Sequence, residues 1–129
     1  MPRPIHFEIH ASDPASVQPF YQRLFGWRFQ SWGGPMEYWV ITTGTGPEPG
    51  IDGGLLRRRG PAPAEGQAVN AFVCTVDVPD VDATLAQLGD VGGTLAFAKM
   101  AVPGIGWLAY IKDPDGNILG IMQSDAGAK

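Results

Sequence analysis

One cysteine stands in the 129 residues, Cys74, so no disulfide can close within the chain. It sits in an apolar, strand-like run, where a small buried hydrophobe is the expected role rather than a nucleophile. Apolar runs are short: none approaches the roughly 20 residues of a membrane span, and Met-Pro-Arg-Pro at the N-terminus has no apolar signal core. A cytoplasmic protein without a membrane partner is the expectation. Basic charge is scarce as well. The formal net charge is −4, and Arg57-Arg58-Arg59 is the one basic run, expected to be a solvated strand end before Gly60. Nothing electrostatic therefore points to nucleic acid. Missing too are a Ser/His/Asp or Cys/His pattern for nucleophilic catalysis and a glycine-rich strand-to-helix turn for phosphate or nucleotide binding.

What is present describes a single packed domain over residues 1–129. Hydrophobic content of 44% against 17% charge excludes a disordered chain, and Gly 18 with Pro 12 favours many turns and short strands over a helical bundle. The chain also says the same thing twice. His6-Phe7-Glu8-Ile9-His10-Ala11-Ser12-Asp13 leads into a helical stretch ending at Leu24, and Asn70-Ala71-Phe72-Val73-Cys74-Thr75-Val76-Asp77 into one ending at Leu88. The differences 70 − 6, 77 − 13 and 88 − 24 all equal 64. A period of that length is too long for a solenoid unit and too short for two independent domains, so two half-modules sharing one core are expected.

Ile5, Phe7 and Ile9 alternate with His6, Glu8 and His10, a strand with two unlike faces. Asp13-Pro14 is a helix start, with the carboxylate capping free N–H groups and proline at the first helical position. Val17, Phe20, Tyr21 and Leu24 form the apolar stripe, Pro19 should kink or shorten the helix, and Gly26 ends it. Trp27–Trp32, Tyr38–Thr43 and Ile51–Arg57 are the next strands. The second half repeats the plan: a strand over Ala71–Val76, a helix over Val81–Leu88 with Asp77 or Asp80 at its start, then strands at Leu95–Val102, Trp107–Lys112 and Ile118–Gln123. Asp113-Pro114-Asp115-Gly116-Asn117 is a tight turn between the last two. The boundaries are module one 1–59, a Pro/Ala/Gly linker 60–68 and module two 69–124, with a frayed tail after Ser124. The fold class is α+β: two tandem βαβββ modules in a curved eight-stranded mixed sheet around a cleft, helices on the outer face.

His6–Asp13 before Phe20-Tyr21, then Leu24-Phe25-Gly26-Trp27, Gly53-Gly54-Leu55 and Asp113-Pro114-Asp115-Gly116-Asn117, in this order, resemble the vicinal oxygen chelate superfamily of glyoxalase I, extradiol dioxygenases and bleomycin-resistance proteins. The resemblance spans nearly the whole chain. It implies the fold strongly and an activity weakly, because these motifs build turns and packing. In metal-using members the ligands come from the first and last strands of each half. Mapped here, His6 matches, Asn70 is a poor ligand, Gly120 stands where a Glu would sit, and Asp52 is the one carboxylate near Gly53-Gly54. No metal or other cofactor is therefore expected; a divalent ion, if bound, would use His6 and Asp52.

Alternation places His6, Glu8, His10, Asn70, Phe72, Cys74 and Met122 on the cleft face. His6 is a candidate acid or base with Glu8 orienting it. Trp27 is assigned to the core. Trp32, Tyr38 and Trp107 lie near strand ends and are the candidate walls that stack a flat ligand. The resulting expectation is a cleft that binds or sequesters a small aromatic molecule, lined by His6, Glu8, His10, Trp32, Tyr38, Asn70, Phe72, Trp107 and Met122. The alternative is a metal-dependent lyase, isomerase or dioxygenase of the glyoxalase type with an atypical site; a third is an interaction module with a vestigial cleft. The resemblance further implies a homodimer.

Overall fold

The computed structural model describes residues 2–129; Met1, the first residue of the N-terminal segment read above, lies outside them. The chain divides into two compact units, the first ending at Ala62 and the second beginning at Pro63. The first contains β1 (His6–Ala11), α1 (Pro14–Phe25), β2 (Arg28–Ser31), β3 (Tyr38–Thr42) and β4 (Asp52–Arg57). The second contains β5 (Thr75–Asp77), α2 (Val81–Ala86), a short 3-10 turn at Gly89–Val91, β6 (Thr94–Val102), β7 (Gly106–Lys112) and β8 (Ile118–Ser124). The eight strands form two four-stranded sheets with the same wiring, β1-β4-β3-β2 and β5-β8-β7-β6. In each, the first strand runs parallel to the last and the remaining pairs are antiparallel. The βαβββ plan is thus present twice.

Local chemistry explains the helices. Asp13 is extended and accepts a hydrogen bond from the Ala15 N–H, Pro14 occupies the first turn, and Gly26 at φ 73° closes α1 by donating to the Gln22 carbonyl. The helix continues through Pro19. In the second unit the cap is Asp80, which accepts from Ala83 N–H, so Asp77 is left to end β5.

Period-2 alternation in β1 works as expected. Phe7, Ile9 and Ala11 turn toward α1, where Val17, Phe20, Ile41 and Leu55 are fully buried. Each such side chain contributes about 1.5–3 kcal/mol by leaving water. Trp27 is core: its ring stacks on Tyr21 at 5.2 Å and 4°, and lies 5.7 Å from Phe7. In the second unit Val81 of α2 packs over Ala109, Ile111 and Ile121. The Asp113 carboxylate, nearly buried, organises the β7–β8 turn by accepting from the N–H groups of Asp115 and Asn117 and from the Asn117 side-chain amide.

Four expectations are corrected. The strand expected at Ala71–Val76 is Thr75–Asp77, because pairing with β8 begins only at Thr75 opposite Gly120, and residues 70–73 have no partner strand. The repeat therefore has a different offset where structure matters. The capping aspartates give 80 − 13 = 67, and the residues facing Gly54 and Gly120 give 75 − 8 = 67, so Val73 rather than Asn70 corresponds to His6. Cys74 is exposed, not buried, since it lies just before that late start. The tail is tied down rather than frayed: Ala128 is buried, its carbonyl accepts from Gly104 N–H, and Asp125 accepts from the Trp107 indole.

Candidate functional site

The face of the first sheet turned away from α1 carries a compact polar and aromatic group. Parallel register sets His6 beside Asp52, Glu8 beside Gly54 and His10 beside Leu56. Antiparallel register adds Val40 beside Gly54 and Tyr38 beside Leu56, and the Trp32 N–H donates to the Tyr38 carbonyl, extending that row. His6, Glu8, His10, Tyr38 and Trp32 thus share one face of one sheet, as the sequence predicts for these five.

Tyr38 crosses this face over Gly54. A Cβ at Gly54 would collide with the Tyr38 hydroxyl and ring, so glycine is what allows the phenol to lie flat. Its Oη then reaches His6 Nε2 at 2.9 Å, donating when that nitrogen is unprotonated and accepting when it carries the proton. The Trp32 ring meets Tyr38 edge-on at 6.4 Å and is 54% exposed, a free aromatic wall beside the phenol. Gly34 leaves the room this indole fills. His10 Nε2 lies 3.1 Å from Glu8 Oε1, a half-exposed pair worth at most about 1 kcal/mol. Burial, and secondarily the Glu8 carboxylate, hold the Tyr38 phenol above its ordinary pKa, so it stays a protonated donor at neutral pH.

The two residues expected to serve a divalent ion, His6 and Asp52, are neighbours across β1 and β4, and each already has a hydrogen-bond partner. Asp52 Oδ1 accepts from both the N–H and hydroxyl of Thr43, pinning the end of β3 to the start of β4. Gly120 of the last strand, where the resemblance implies a carboxylate, is packed against Thr75, Tyr110 and Leu108. Among the described residues, no three His, Cys, Asp or Glu side chains converge as a metal-holding group.

The remaining predicted residues separate. Met122 lies on the uncovered face of the second sheet, opposite Leu108 and in line with Gly120. Asn70 and Phe72 precede β5, and Phe72 is fully exposed. Trp107 is a correction. Its register with Gln123 puts it in the row of Ala109 and Ile121, the α2 side, where Gln123 accepts from Val81 N–H. Its indole donates to Asp125, and Lys99, paired to Asp82 of α2, sits 4.9 Å over its ring. Trp107 therefore braces the helix side and cannot wall the uncovered face. Sequence reasoning missed Gly54, Leu56, Leu108 and Tyr110 as members of these faces. The alternation signal contained them, but only cross-strand register reveals it.

A family model described as Glyoxalase/Bleomycin resistance protein/Dioxygenase superfamily matches residues 3–121. No curated protein matches. Solved structures with this fold include a glyoxalase/bleomycin resistance protein/dioxygenase family enzyme from Burkholderia phytofirmans PsJN, at 20% identity and TM-score 0.71, covering 93% of this chain and 97% of that one. The genomically encoded fosfomycin resistance protein FosX of Listeria monocytogenes is 13% identical, with TM-score 0.71 and coverage of 97% and 94%. TioX from Micromonospora sp. ML1 is 17% identical, with TM-score 0.65 and coverage of 94% and 98%. At these identities the likeness extends to the fold alone. Among the described residues no helix is long and apolar enough to cross a membrane.

The two causes of the Tyr38 shift are separable. Glu8→Gln should lower the Tyr38 pKa while leaving it above the usual phenol value, because burial is the larger cause. Spectrophotometric titration against a Tyr38→Phe control reads this directly. A raised folded-state pKa also means that stability present below pH ~10 falls as pH rises toward the folded pKa, since the unfolded chain loses its phenolic proton first. Tyr38→Phe should flatten that alkaline loss.

Proposed function

We propose that this chain, which belongs to the glyoxalase/bleomycin resistance protein/dioxygenase superfamily, binds a small planar molecule on the uncovered face of its first sheet and needs no metal to do so. The observation that carries this reading is the Trp32–Tyr38–His6 arrangement: an exposed indole beside a protonated phenol that is already hydrogen-bonded to an imidazole. Trp32 supplies a stacking surface, with about 0.5–1.5 kcal/mol from a favourable ring pair beyond area burial. Tyr38, His6 and Glu8 supply hydrogen bonds that orient the ligand, each netting about 0.5–1.5 kcal/mol. Sequestration of an aromatic compound fits this division of labour. Asn70 and Phe72, which precede β5, have no role in it.

A second reading has one specific observation in its favour. Glu8 is close enough to Tyr38 to raise its pKa while His6 holds the phenol oxygen, a grouping suited to moving a proton on a bound substrate. In that case His6 and Glu8 would be catalytic. Loss of turnover, with binding retained, on His6→Ala would favour this enzyme reading.

We further propose a homodimer. The uncovered face of the second sheet exposes Phe97 at 59% and Met100 at 43%, beside Leu108, Tyr110 and Met122, and a second copy of the chain is the occupant we assign to it. The charges of the two units suit such pairing. Six arginines against five carboxylates give the first unit +1, and three lysines against eight carboxylates give the second −5.

Three outcomes test these proposals. In a screen of planar aromatic compounds followed by tryptophan fluorescence, Trp32→Ala should weaken a hit about tenfold, near 1.4 kcal/mol, while Trp107→Ala stays near wild type; the reverse ranking would sink the assigned face. Equilibrium dialysis of untagged protein against zinc, nickel or manganese should find well under one ion per chain, and a stoichiometric ion lost on His6→Ala would overturn the metal-free reading. Light scattering at micromolar concentration should report a dimer that Phe97→Glu shifts toward monomer.

A further inference from the structure

The bend between β2 and β3 carries Trp32, and Gly33-Gly34-Pro35 follows directly. Both ends of this bend are tied to the sheet. At one, the Trp32 N–H donates to the Tyr38 carbonyl. At the other, the Glu37 carboxylate accepts from Arg57 Nε and Nη2 at 2.8 and 3.2 Å, while Arg57 Nη1 donates to the Ser12 carbonyl. Between the two ties Gly33, at φ 76°, takes the left-handed conformation that glycine adopts without strain and turns the chain back toward the preceding residue. Gly34 comes to lie against the indole as a result. A Cβ on Gly34 would stand 2.5 Å from Cε3 and 2.8 Å from Cη2 of Trp32, and closer still to Cζ3 between them. These are three consecutive carbons of the six-membered ring, so the indole rests against bare backbone.

Backbone conformation does not require glycine at position 34. Its φ lies outside the positive range that Gly33 occupies, and the residue is exposed, so the Trp32 ring is what a side chain there would meet. Because the bend is held at both ends, the indole is the part free to yield to an added methyl. We propose that Gly34 is a positioning residue of the binding face: it seats the Trp32 indole edge-on to Tyr38, so that the aromatic wall stands ready before a ligand arrives. This rests on the binding reading above and adds to it the residue that sets its wall. The physical gain is preorganisation. A half-exposed indole on an unrestrained bend would lose rotamer freedom on stacking a ligand, whereas a ring fixed by the Gly34 backbone and by the Tyr38 ring at 6.4 Å has already lost it.

A double-mutant cycle tests this, with the planar dye N-phenylnaphthylamine titrated by its own fluorescence against wild type, Gly34→Ala, Trp32→Ala and the double variant. Trp32→Ala should weaken the dye about tenfold, and Gly34→Ala alone about three- to tenfold. In the Trp32→Ala background Gly34→Ala should change affinity by less than about twofold, because residues that act through one contact are not additive. The unliganded protein supplies a second readout. Subtracting the emission of each Trp32→Ala partner isolates Trp32 among the four tryptophans, and Gly34→Ala should shift that emission to the red as the ring leaves its seat for water. The melting temperature should stay near wild type, since residue 34 is exposed and lies outside the strands. If Gly34→Ala leaves affinity and Trp32 emission unchanged while Trp32→Ala weakens the dye, the seat is overturned and the binding face stands. An equal loss from Gly34→Ala with and without Trp32 overturns it too, by showing that the methyl acts on the bend rather than on the ring. If the dye fails to bind, or ignores Trp32→Ala, the binding face falls and the role of Gly34 in it falls as well.

Discussion

Two consecutive residues without side chains, Gly53 and Gly54, occupy the middle of the first sheet, and because neighbours in a strand point to opposite faces each leaves room on a different side. On the helix side the Phe7 ring takes the space, so close that a Cβ on Gly53 would stand 2.6 Å from its Cε2 atom. Phe7 then touches Trp27, and Trp27 stacks on Tyr21 of α1, a chain of aromatic contacts from the sheet centre to the helix. On the other side Tyr38 takes the space over Gly54 and reaches His6. One dipeptide therefore serves both the packing of the core and the shape of the candidate site. A methyl at either position would force rings or backbone to move, and overpacking of this kind commonly costs about 1–3 kcal/mol.

The second unit repeats the wiring without the chemistry. Gly120 faces Thr75 as Gly54 faces Glu8, but its free side is taken by Thr75, Tyr110 and Leu108. Where the first sheet offers two imidazoles, a carboxylate and a phenol, the second offers Phe97, Met100, Leu108, Tyr110 and Met122. Identical strand order has been filled by unlike side chains, which is why membership of a broad superfamily says little about activity here. The two sheets differ in the side chains of their uncovered faces rather than in their wiring.

Features that depend on near neighbours were legible in the sequence. The Asp13-Pro14 start and Gly26 stop of α1, the Asp113–Asn117 turn and the two faces of β1 are each decided within a few residues, and each stands as read. Features that depend on a distant partner were not. The alternation at Ala71–Val73 looks like a strand, yet a strand exists only where a ladder forms, and β8 meets this segment no earlier than Thr75. Trp107 failed for the same reason: its face is set by pairing with Gln123, and an indole near a strand end gives no hint of which side it takes. Tyr38 lies on the same sheet face as His6, but its contact with His6 across 32 positions needed Gly54 beneath it, a steric permission no local pattern announces.

The polar residues of the first sheet are mostly one another's partners. His6 is engaged by Tyr38, His10 by Glu8, and Asp52 by Thr43. A ligand that hydrogen-bonds to this group must join or replace bonds already made, so each new polar contact yields only a modest net gain. The larger contribution has to come from surface that is still exposed, and on this face that surface is aromatic and aliphatic: Trp32, Val40 and Met36. Polar groups fixed in advance by each other lose little freedom when a ligand arrives, and so serve to select its orientation. For a ligand on this face, affinity would come chiefly from the indole and selectivity from the phenol–imidazole pair.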